Sequence, residues 1–304
     1  MTRREFVALP ETRDGKKWFP GMSDDMYRFQ QEIDALPPVE YGRFRGRGLD
    51  LTDAEKAEWF AKYPALRRYD EAYDKVFREV AETTVTGPRP AVWYVYNMGI
   101  VVKTRETLFT VDLCHRQDLL SAPLVDFACV THNHGDHFSP RTLKALDRAH
   151  KLVYNNFFDN AGAFAKYPEG GYSKRGRTYA FKDVKIETHL MSHNYYLQDF
   201  TIAFEITVGD YVIYHTGDSG FVHEMRPTHP HPDLWVVSAY CYIEPVPAVR
   251  QVEPKLMMFA HLQELGHAVG GGARSTWGRG LEGAAAVKAA GYNAIVPVWG
   301  ERIV

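Results

Sequence analysis

The stretch THNHGDHFSP, residues 131–140, places three histidines and one aspartate within six consecutive positions. In an extended chain alternate side chains point the same way, so His132, His134 and Asp136 share one side of the backbone. The glycine between them permits a bend that turns His137 toward the same point. Imidazole nitrogens and a carboxylate oxygen suit Zn²⁺ or another first-row divalent ion, and the loop has no cysteine for a closed structural zinc site. The spacing therefore predicts a metal-binding loop.

The elements on either side of this loop explain how it is held. An apolar run, VDFACV, leads into the loop, and the segment SPRTLKALDRAH follows it. Ser139 is a favoured N-cap residue, and Pro140 is favoured at the first helical position. We therefore expect the ligands at a strand-to-helix connection, where two rigid elements fix their positions.

Composition limits the classes of function. Lys plus Arg number 36 and Asp plus Glu number 38, a net charge of −2 that gives no general attraction to nucleic acid. Three widely spaced cysteines, Cys114, Cys129 and Cys241, favour a reduced compartment over a disulfide framework. The first residues contain no apolar signal segment, and no run approaches the roughly 20 apolar residues of a membrane span. We predict a cytoplasmic protein whose partners have to be inferred from local sites.

Residues 1–88 contain no histidine and are predicted to be mostly helical. TDAE at 52–55 is a capping box, and an apolar row at helical spacing follows Pro64. Between these helices the segment YGRFRGRG, residues 41–48, could bind phosphate or a carboxylate but is more typical of a solvated loop. TGPRP at 86–90 marks a boundary and is too short to act as a long flexible linker.

We therefore predict a helical extension over residues 1–88, followed by a catalytic domain over residues 89–304. The extension would be a lid over the site or an interface in a homo-oligomer. Its aromatic side chains should be buried in either case, and we expect this of Trp59, Phe60, Tyr69 and Tyr73. Residues 89–304 alternate short β-rich runs with helical segments, which favours an α/β layered sandwich.

The sequence from His132 to His137 resembles the HxHxDH signature of the metallo-β-lactamase superfamily. The order of later histidines and aspartates over about residues 91–304 is similar too, with His193 in MSHNYY, Asp218 in YVIYHTGDSG and His261 in LMMFAHLQELGH. Within the superfamily the chain looks most like the group of ascorbate-phosphate lactonases and N-acyl-phosphatidylethanolamine phospholipases D. The resemblance implies a four-layer αβ/βα sandwich with the helical segment as an N-terminal extension.

The resemblance also implies a ligand set for two divalent ions. It places His132, His134 and His193 on one ion and Asp136, His137 and His261 on the other, with Asp218 bridging them. His189 competes with His193 but lies within the expected strand, whereas His193 lies just past its end. Zn²⁺ is the expected ion, with Mn²⁺ or iron as alternatives.

The implied activity is metal-dependent hydrolysis, in which a metal-bound hydroxide attacks a small ester, lactone or phosphodiester. Asp136 and Asp218 are the expected catalytic residues, and His267, Arg43 and Arg45 are candidates for contact with substrate. The diiron oxygen-reducing members usually have glutamate where this chain has His134, which disfavours redox chemistry. The alternative is a non-catalytic metal-binding or sensor module that keeps the fold.

Overall fold

The chain forms seven α-helices and thirteen β-strands in the parts that the computed structural model describes, which are residues 24–156, 175–193, 200–239, 243–267 and 275–304. Residues 1–23 of the predicted extension and Cys241 lie outside these ranges. The helices are α1 Asp24–Asp34, α2 Pro38–Arg47, α3 Asp53–Lys62, α4 Pro64–Glu82, α5 Pro140–Arg148, α6 Pro245–Val252 and α7 Trp277–Ala289. Among the described residues, no helix combines the length and apolar character needed to cross a bilayer.

The first sheet has six strands in the order β13-β1-β2-β3-β4-β5. The pairs along β13, β1, β2 and β3 are antiparallel, whereas β3, β4 and β5 run parallel. Parallel neighbours end at the same edge of a sheet, so the residues after β3 and β4 emerge side by side. The strands are β1 Ala91–Tyr96, β2 Gly99–Lys103, β3 Leu108–Val111, β4 Phe127–Cys129, β5 Leu152–Tyr154 and β13 Glu301–Arg302.

The second sheet has seven strands in the order β12-β11-β10-β9-β8-β7-β6. Strands β9 to β12 run parallel, and β7 shares their direction because β7 and β9 are both antiparallel to β8. The carboxyl ends of β7, β9 and β11 therefore lie at one edge. The strands are β6 Thr178–Phe181, β7 Val184–Leu190, β8 Ile202–Val208, β9 Tyr211–His215, β10 Leu234–Ser238, β11 Met257–Ala260 and β12 Ala294–Ile295.

Helices cover the outer faces of both sheets, which gives the predicted four-layer sandwich. On the first sheet a small apolar cluster joins α5 to β4 and β5 through Leu143, Leu146 and Val153. On the second sheet α7 approaches closely, since a Cβ at Gly283 would lie 2.9 Å from a ring carbon of Phe259. The main core fills the space between the sheets, so all five residues of β10 are buried.

The N-terminal helices share this core. Helix α4 buries an apolar row at helical spacing against β1 and β13. Helix α1 adds Phe29, whose ring lies 4.6 Å from Trp299 and 4.8 Å from Trp277. As predicted, Tyr69 and Tyr73 are buried. Trp59 and Phe60 are only partly buried and pack at the edge of the core. The helices are thus part of the packed structure.

Two local predictions have different outcomes. Thr52 and Glu55 form the predicted capping box at the start of α3, with each side chain bonded to the other's backbone N–H. The prediction of a loop at residues 41–48 is wrong, because α2 continues to Arg47 and only Gly48 leaves the helix. Burial of Tyr41 and Phe44 outweighs the low helix propensity of the glycines in this segment.

Candidate metal centre

The predicted ligands all follow strands that end at one edge of the sandwich. The HxHxDH loop begins after β4, and His193 lies three residues beyond β7. Asp218 lies three residues beyond β9, and His261 directly follows β11. The two sheets thus bring side chains that are distant in sequence to one place.

Three imidazoles form the outer part of the site, and we call them the imidazole half: His132, His134 and His193. The Nδ1 atom of His134 lies 3.0 Å from Nε2 of His132 and 3.2 Å from Nε2 of His193. Ligand atoms at metal–nitrogen distances of about 2.1 Å in a tetrahedron are about 3.4 Å apart. The three nitrogens therefore have the spacing of a coordination sphere.

A second group lies deeper, and we call it the carboxylate half: Asp136, His137 and His261. The Nε2 atom of His261 lies 3.1 Å from Oδ2 of Asp136, and Nε2 of His137 lies 3.6 Å from the same oxygen. All three residues are buried, whereas His134 and His193 are only half-buried. The site therefore has an open side and a closed side.

Asp218 belongs to both halves. Its Oδ2 atom lies 3.1 Å from Nε2 of His261 and 3.3 Å from Nε2 of His137. Its carboxylate also lies within 4.8 Å of ligand atoms of the imidazole half. The side chain is buried, so its charge faces the imidazoles rather than water. This is the position that a carboxylate shared by two cations requires.

Asp112, which directly follows β3, orients the predicted ligand His137 by contacting the ring nitrogen that faces away from the site. Its Oδ2 atom lies 2.9 Å from Nδ1 of His137 and accepts a hydrogen bond of 2.7 Å from the Thr131 hydroxyl. Thr131 in turn meets the loop of Asp218, since a Cβ at Gly217 would lie 2.8 Å from the Thr131 hydroxyl oxygen. Gly217 also has a φ of +52°, so two requirements favour glycine there.

Asn97, in the turn between β1 and β2, supports the carboxylate half. Its amide nitrogen donates to the carbonyl oxygen of Asp136 at 3.0 Å and to Oδ2 of the same residue at 3.2 Å. Its own carbonyl accepts from the backbone N–H of His261 at 2.8 Å. Asn97 has a φ of +55°, a conformation that asparagine tolerates better than most residues. Asn97 therefore links two predicted ligands, Asp136 through its side-chain amide and His261 through its backbone carbonyl.

The two halves differ in their electrostatics. Burial lowers the pKa of His132 well below its ordinary value, and burial together with the neighbouring His193 lowers the pKa of His134 to about 4. Burial also opposes charge on His261, but the carboxylates of Asp218 and Asp136 outweigh it and raise its pKa to about 10. The imidazole half is therefore neutral, whereas the carboxylate half pairs charges of both signs.

The chemistry of the donor atoms fits a pair of divalent ions. The Nδ1 edge of His137 is taken by Asp112, which directs the opposite nitrogen, Nε2, toward the carboxylates of Asp136 and Asp218. That buried Nε2 atom and the buried Oδ1 atom of Asp218 have no hydrogen-bond partner among the described residues. The raised pKa of His137 favours a proton on this Nε2 atom, between the two carboxylates, and a bound cation would take the place of that proton.

Other histidines in the sequence have different surroundings. His189 lies on β7, with Nε2 2.8 Å from Oε2 of the buried Glu205, and does not join the ligand cluster. The ring of His215 is buried, and its Nε2 atom lies 3.0 Å from the carbonyl oxygen of Met98. His267 does reach the site, since its Nε2 atom lies 3.2 Å from Oδ2 of Asp136.

The predicted substrate arginines separate into two environments. Arg45 and His267 both border a cavity of about 300 Å³, which we call the α2 cavity, lined by Tyr41, Gly42, Arg45, Gly135, Asp136, Gly266 and His267. The structure does not bring Arg43 to the site. Its side chain is 67% exposed and forms an ion pair with Glu40, because it lies on the outer face of α2. Arg47 likewise pairs with Glu55.

Asp112 and Asn97 were not recognised from the sequence. Each is a single polar residue, and neither belongs to a run of ligand-type residues. A weak signal exists for Asp112, which directly follows the apolar strand segment LFTV, as Asp218 comes shortly after YVIYH.

Comparison with known proteins identifies the architecture. No family model and no curated protein sequence matches the chain. Among solved structures, a metallo hydrolase from the archaeon Ignicoccus hospitalis has a TM-score of 0.55 at 16% identity, with 70% of this chain and 97% of that chain covered. A metallo-β-lactamase fold protein from Bacillus subtilis has a TM-score of 0.53 at 14% identity, with 71% and 99% covered.

A third similar structure has a different chemistry. A diiron β-hydroxylase from Streptomyces venezuelae has a TM-score of 0.54 at 13% identity, with 72% of this chain and 54% of that chain covered. Similarity at such low identity establishes a shared fold and leaves the reaction to the residues of the site.

Proposed function

We propose that this chain, which has the metallo-β-lactamase fold, is a dinuclear metal-dependent hydrolase of a small ester, lactone or phosphodiester. The observation that supports the proposal is the convergence of two ligand groups that share Asp218. Imidazoles with carboxylates suit Zn²⁺ well, and Mn²⁺ or iron are alternatives. The resemblance favours hydrolysis over redox chemistry, because the diiron oxygen-reducing members usually have glutamate where this chain has His134.

In this proposal the imidazole half would hold one ion, the carboxylate half would hold the other, and Asp218 would be a ligand to both. Divalent ions in such a site supply Lewis acidity, which makes water acidic enough to attack at neutral pH and stabilises charge on the attacked oxygen. Because water would be the nucleophile, no serine or cysteine nucleophile is required.

The remaining steps depend on protein groups. Hydrolysis adds the oxygen of water to the acyl or phosphoryl centre, breaks the bond to the leaving oxygen, and transfers a proton to that oxygen. Asp136 is placed to carry this proton, because its carboxylate borders the α2 cavity and lies 3.2 Å from Nε2 of His267. Asn97 holds the carboxylate in this orientation by donating to Oδ2.

We further propose that residues 1–88 act as the lid of a catalytic domain formed by residues 89–304, since α2 lines the cavity beside Asp136. Assembly of a homo-oligomer through these helices and a cytoplasmic location stay predictions. Deleting residues 1–88 should cause aggregation, because the loss of Tyr69, Tyr73 and their neighbours would expose the apolar surface that they cover on residues 89–304.

The test combines elemental analysis with turnover. Protein purified from zinc-supplemented medium should contain close to two metal ions per chain and should hydrolyse a nitrophenyl ester or bis(nitrophenyl) phosphate. A chelator should remove both the metal and the activity, and added Zn²⁺ or Mn²⁺ should restore them. His223→Ala is a matched control, because His223 is exposed and lies outside the ligand groups.

The outcomes separate the proposal from its alternative. Two ions with turnover that follows metal content support a hydrolase. Two ions without turnover on either substrate class would support a non-catalytic metal-binding module. Absence of stoichiometric metal after growth with excess zinc would overturn both.

A further inference from the structure

Helix α2 places a positive charge beside the metal centre. The guanidinium of Arg45 donates through Nη2 to the carbonyl oxygen of Gly135 at 2.5 Å and contacts the Cys114 sulfur at 2.8 Å. Gly135 lies between His134 and Asp136 in the HxHxDH loop. Arg45 is therefore bound to the backbone of the ligand loop itself.

The direct hydrogen-bond partners of Arg45 are uncharged. Among the residues that the structure describes, no carboxylate pairs with this guanidinium, whereas Arg43 and Arg47 on the same helix pair with Glu40 and Glu55. Burial raises the pKa of the Cys114 thiol despite the nearby guanidinium, so that neighbour is neutral. A partly buried cation with neutral partners gains most from an anionic ligand.

The helix that carries Arg45 is anchored at its C-terminal end. Arg141 donates to the carbonyl oxygen of Gly46 at 2.8 Å, and Arg116 donates to the carbonyl oxygen of Gly48. Arg116 is itself fixed by a buried ion pair with Asp70 of α4. Arg45 is therefore held on a rigid element and is oriented before any ligand arrives.

The other charged groups at the cavity are already engaged. The carboxylate of Asp136 faces His261 and His267. The buried carboxylate of Glu264 accepts hydrogen bonds from the Tyr96 hydroxyl at 2.8 Å and from the backbone N–H of Gly266 at 2.5 Å. Two divalent ions would bring more positive charge than the centre's carboxylates carry, so the loaded site attracts anions.

We propose that the substrate carries an oxyanion group, a carboxylate or a phosphate, that binds Arg45 in the α2 cavity while its scissile bond lies at the metal centre. This inference rests on the proposed hydrolase function and specifies its substrate class. The cavity of about 300 Å³ fits a small molecule. Arginine suits either oxyanion, because its planar donors match the oxygens of both groups.

The test uses three nitrophenyl esters of equal chain length on the zinc-loaded full chain. They are the pentanoate, which is neutral, the glutarate, which ends in a carboxylate, and the 4-phosphonobutanoate. We expect a higher kcat/KM for at least one anionic ester than for the pentanoate. The preferred ester shows whether the substrate's oxyanion is a carboxylate or a phosphate. Absence of such a preference in the wild type would overturn the proposal, whatever happens to the variants.

Variants locate the preference. Arg45→Gln should lower the ratio of kcat/KM for the preferred anionic ester to kcat/KM for the pentanoate by on the order of 10- to 100-fold, the value of a lost charge-assisted hydrogen bond. Arg45→Met keeps the aliphatic stem as a second test, and Arg43→Gln on the outer face is the matched control. An equal loss on all three esters would show that Arg45 is structural and would overturn the proposal.

Binding separates this inference from the hydrolase proposal. Calorimetric titration with monomethyl glutarate should give a Kd that weakens on the order of 10-fold or more in Arg45→Gln. Binding of that kind without turnover of any ester would contradict the hydrolase function and leave the anion site standing. Turnover with identical Kd values in wild type and variant would support the hydrolase function and contradict the anion site at Arg45.

Discussion

The two halves of the metal centre use different means to bring their ligands together. The imidazole half is half-open, and its rings are neutral because burial lowers the pKa of His132, His134 and His193. The carboxylate half is buried, and charge attraction raises the pKa of His137 and His261 despite burial.

This difference shows which contacts hold the site together before metal binds. The carboxylate half is stabilised by its own ion pairs, with Asp136 and Asp218 facing His137 and His261. The imidazole half depends on its supports. Glu224, for example, accepts from the backbone N–H of Ser192 at 2.6 Å and from its hydroxyl at 2.7 Å, which fixes the residue before His193.

The largest expected effect is at the residue that both halves share. Asp218→Ala should lower kcat/KM by at least about a thousandfold, since stabilisation by two ions supplies several kcal/mol. Metal content should fall below two ions per chain by elemental analysis. Circular dichroism should show the fold retained, and activity within about tenfold of wild type would contradict the role of Asp218.

A second prediction compares the halves in chelator-treated protein. His261→Ala removes a cationic partner that the buried carboxylates of Asp136 and Asp218 share, so the free energy of unfolding should fall by about 3–5 kcal/mol. His193→Ala removes a neutral, half-buried ring and should cost about 1 kcal/mol. Urea unfolding of both variants measures the difference. Equal losses would show that charge pairing does not hold the carboxylate half together.

A third prediction concerns Asp112, which orients His137. Asp112→Asn keeps the shape of the side chain but replaces one acceptor oxygen and removes the charge. Affinity for the ion of the carboxylate half, to which His137 belongs, should fall about 10- to 100-fold. Competition with a chromophoric chelator measures this affinity. Affinity for the other ion should be unchanged, and a loss at both sites would show that Asp112 supports the two halves equally.

A fourth prediction concerns Glu205 on β8, which belongs to neither half of the metal centre. Its buried carboxylate accepts from the backbone N–H groups of Thr228 and His229 and lies 2.8 Å from Nε2 of His189. Burial alone would raise the pKa of Glu205, but these donors, His189 first among them, lower it from 4.5 to about 2.

A lowered carboxyl pKa stabilises the fold above the unfolded value near 4.5, and this stabilisation is lost as pH falls toward 2. Glu205→Gln should therefore cost up to about 3 kcal/mol at pH 7 and about half of that near pH 3. Urea unfolding at both pH values measures the change. A cost independent of pH would show that the ionised form is not the one that the donors stabilise.

The site could be predicted from the sequence where its residues are local. The HxHxDH loop concentrates ligand types in six positions, and Asp218 and His261 each follow an apolar run. Asn97 could not be predicted, because its role depends on a turn that crosses to Asp136, 39 positions away.

The fold was predictable to a similar extent. Long apolar runs such as those of β1 and β10 are recognisable as strands in the sequence, whereas β13 is not, because two residues carry no periodicity and pairing with β1 defines the strand. Strand β6 is not recognisable either, since its short segment TYAF is only partly buried. Helix α2 was mispredicted because its glycines suggest a loop, and the tertiary contacts of Tyr41 and Phe44 decide its structure.

Arg45 lies on the same helical turn as two residues that the fold requires. Tyr41 and Phe44 are buried in the core that α4 and β1 share, so neither can be exchanged without loss of stability. By contrast, a Cβ at Gly46 would meet no atom within 4 Å. Few positions on this helix can therefore be substituted to change substrate preference without loss of stability. A library that keeps the protein folded should vary positions 45 and 46 together.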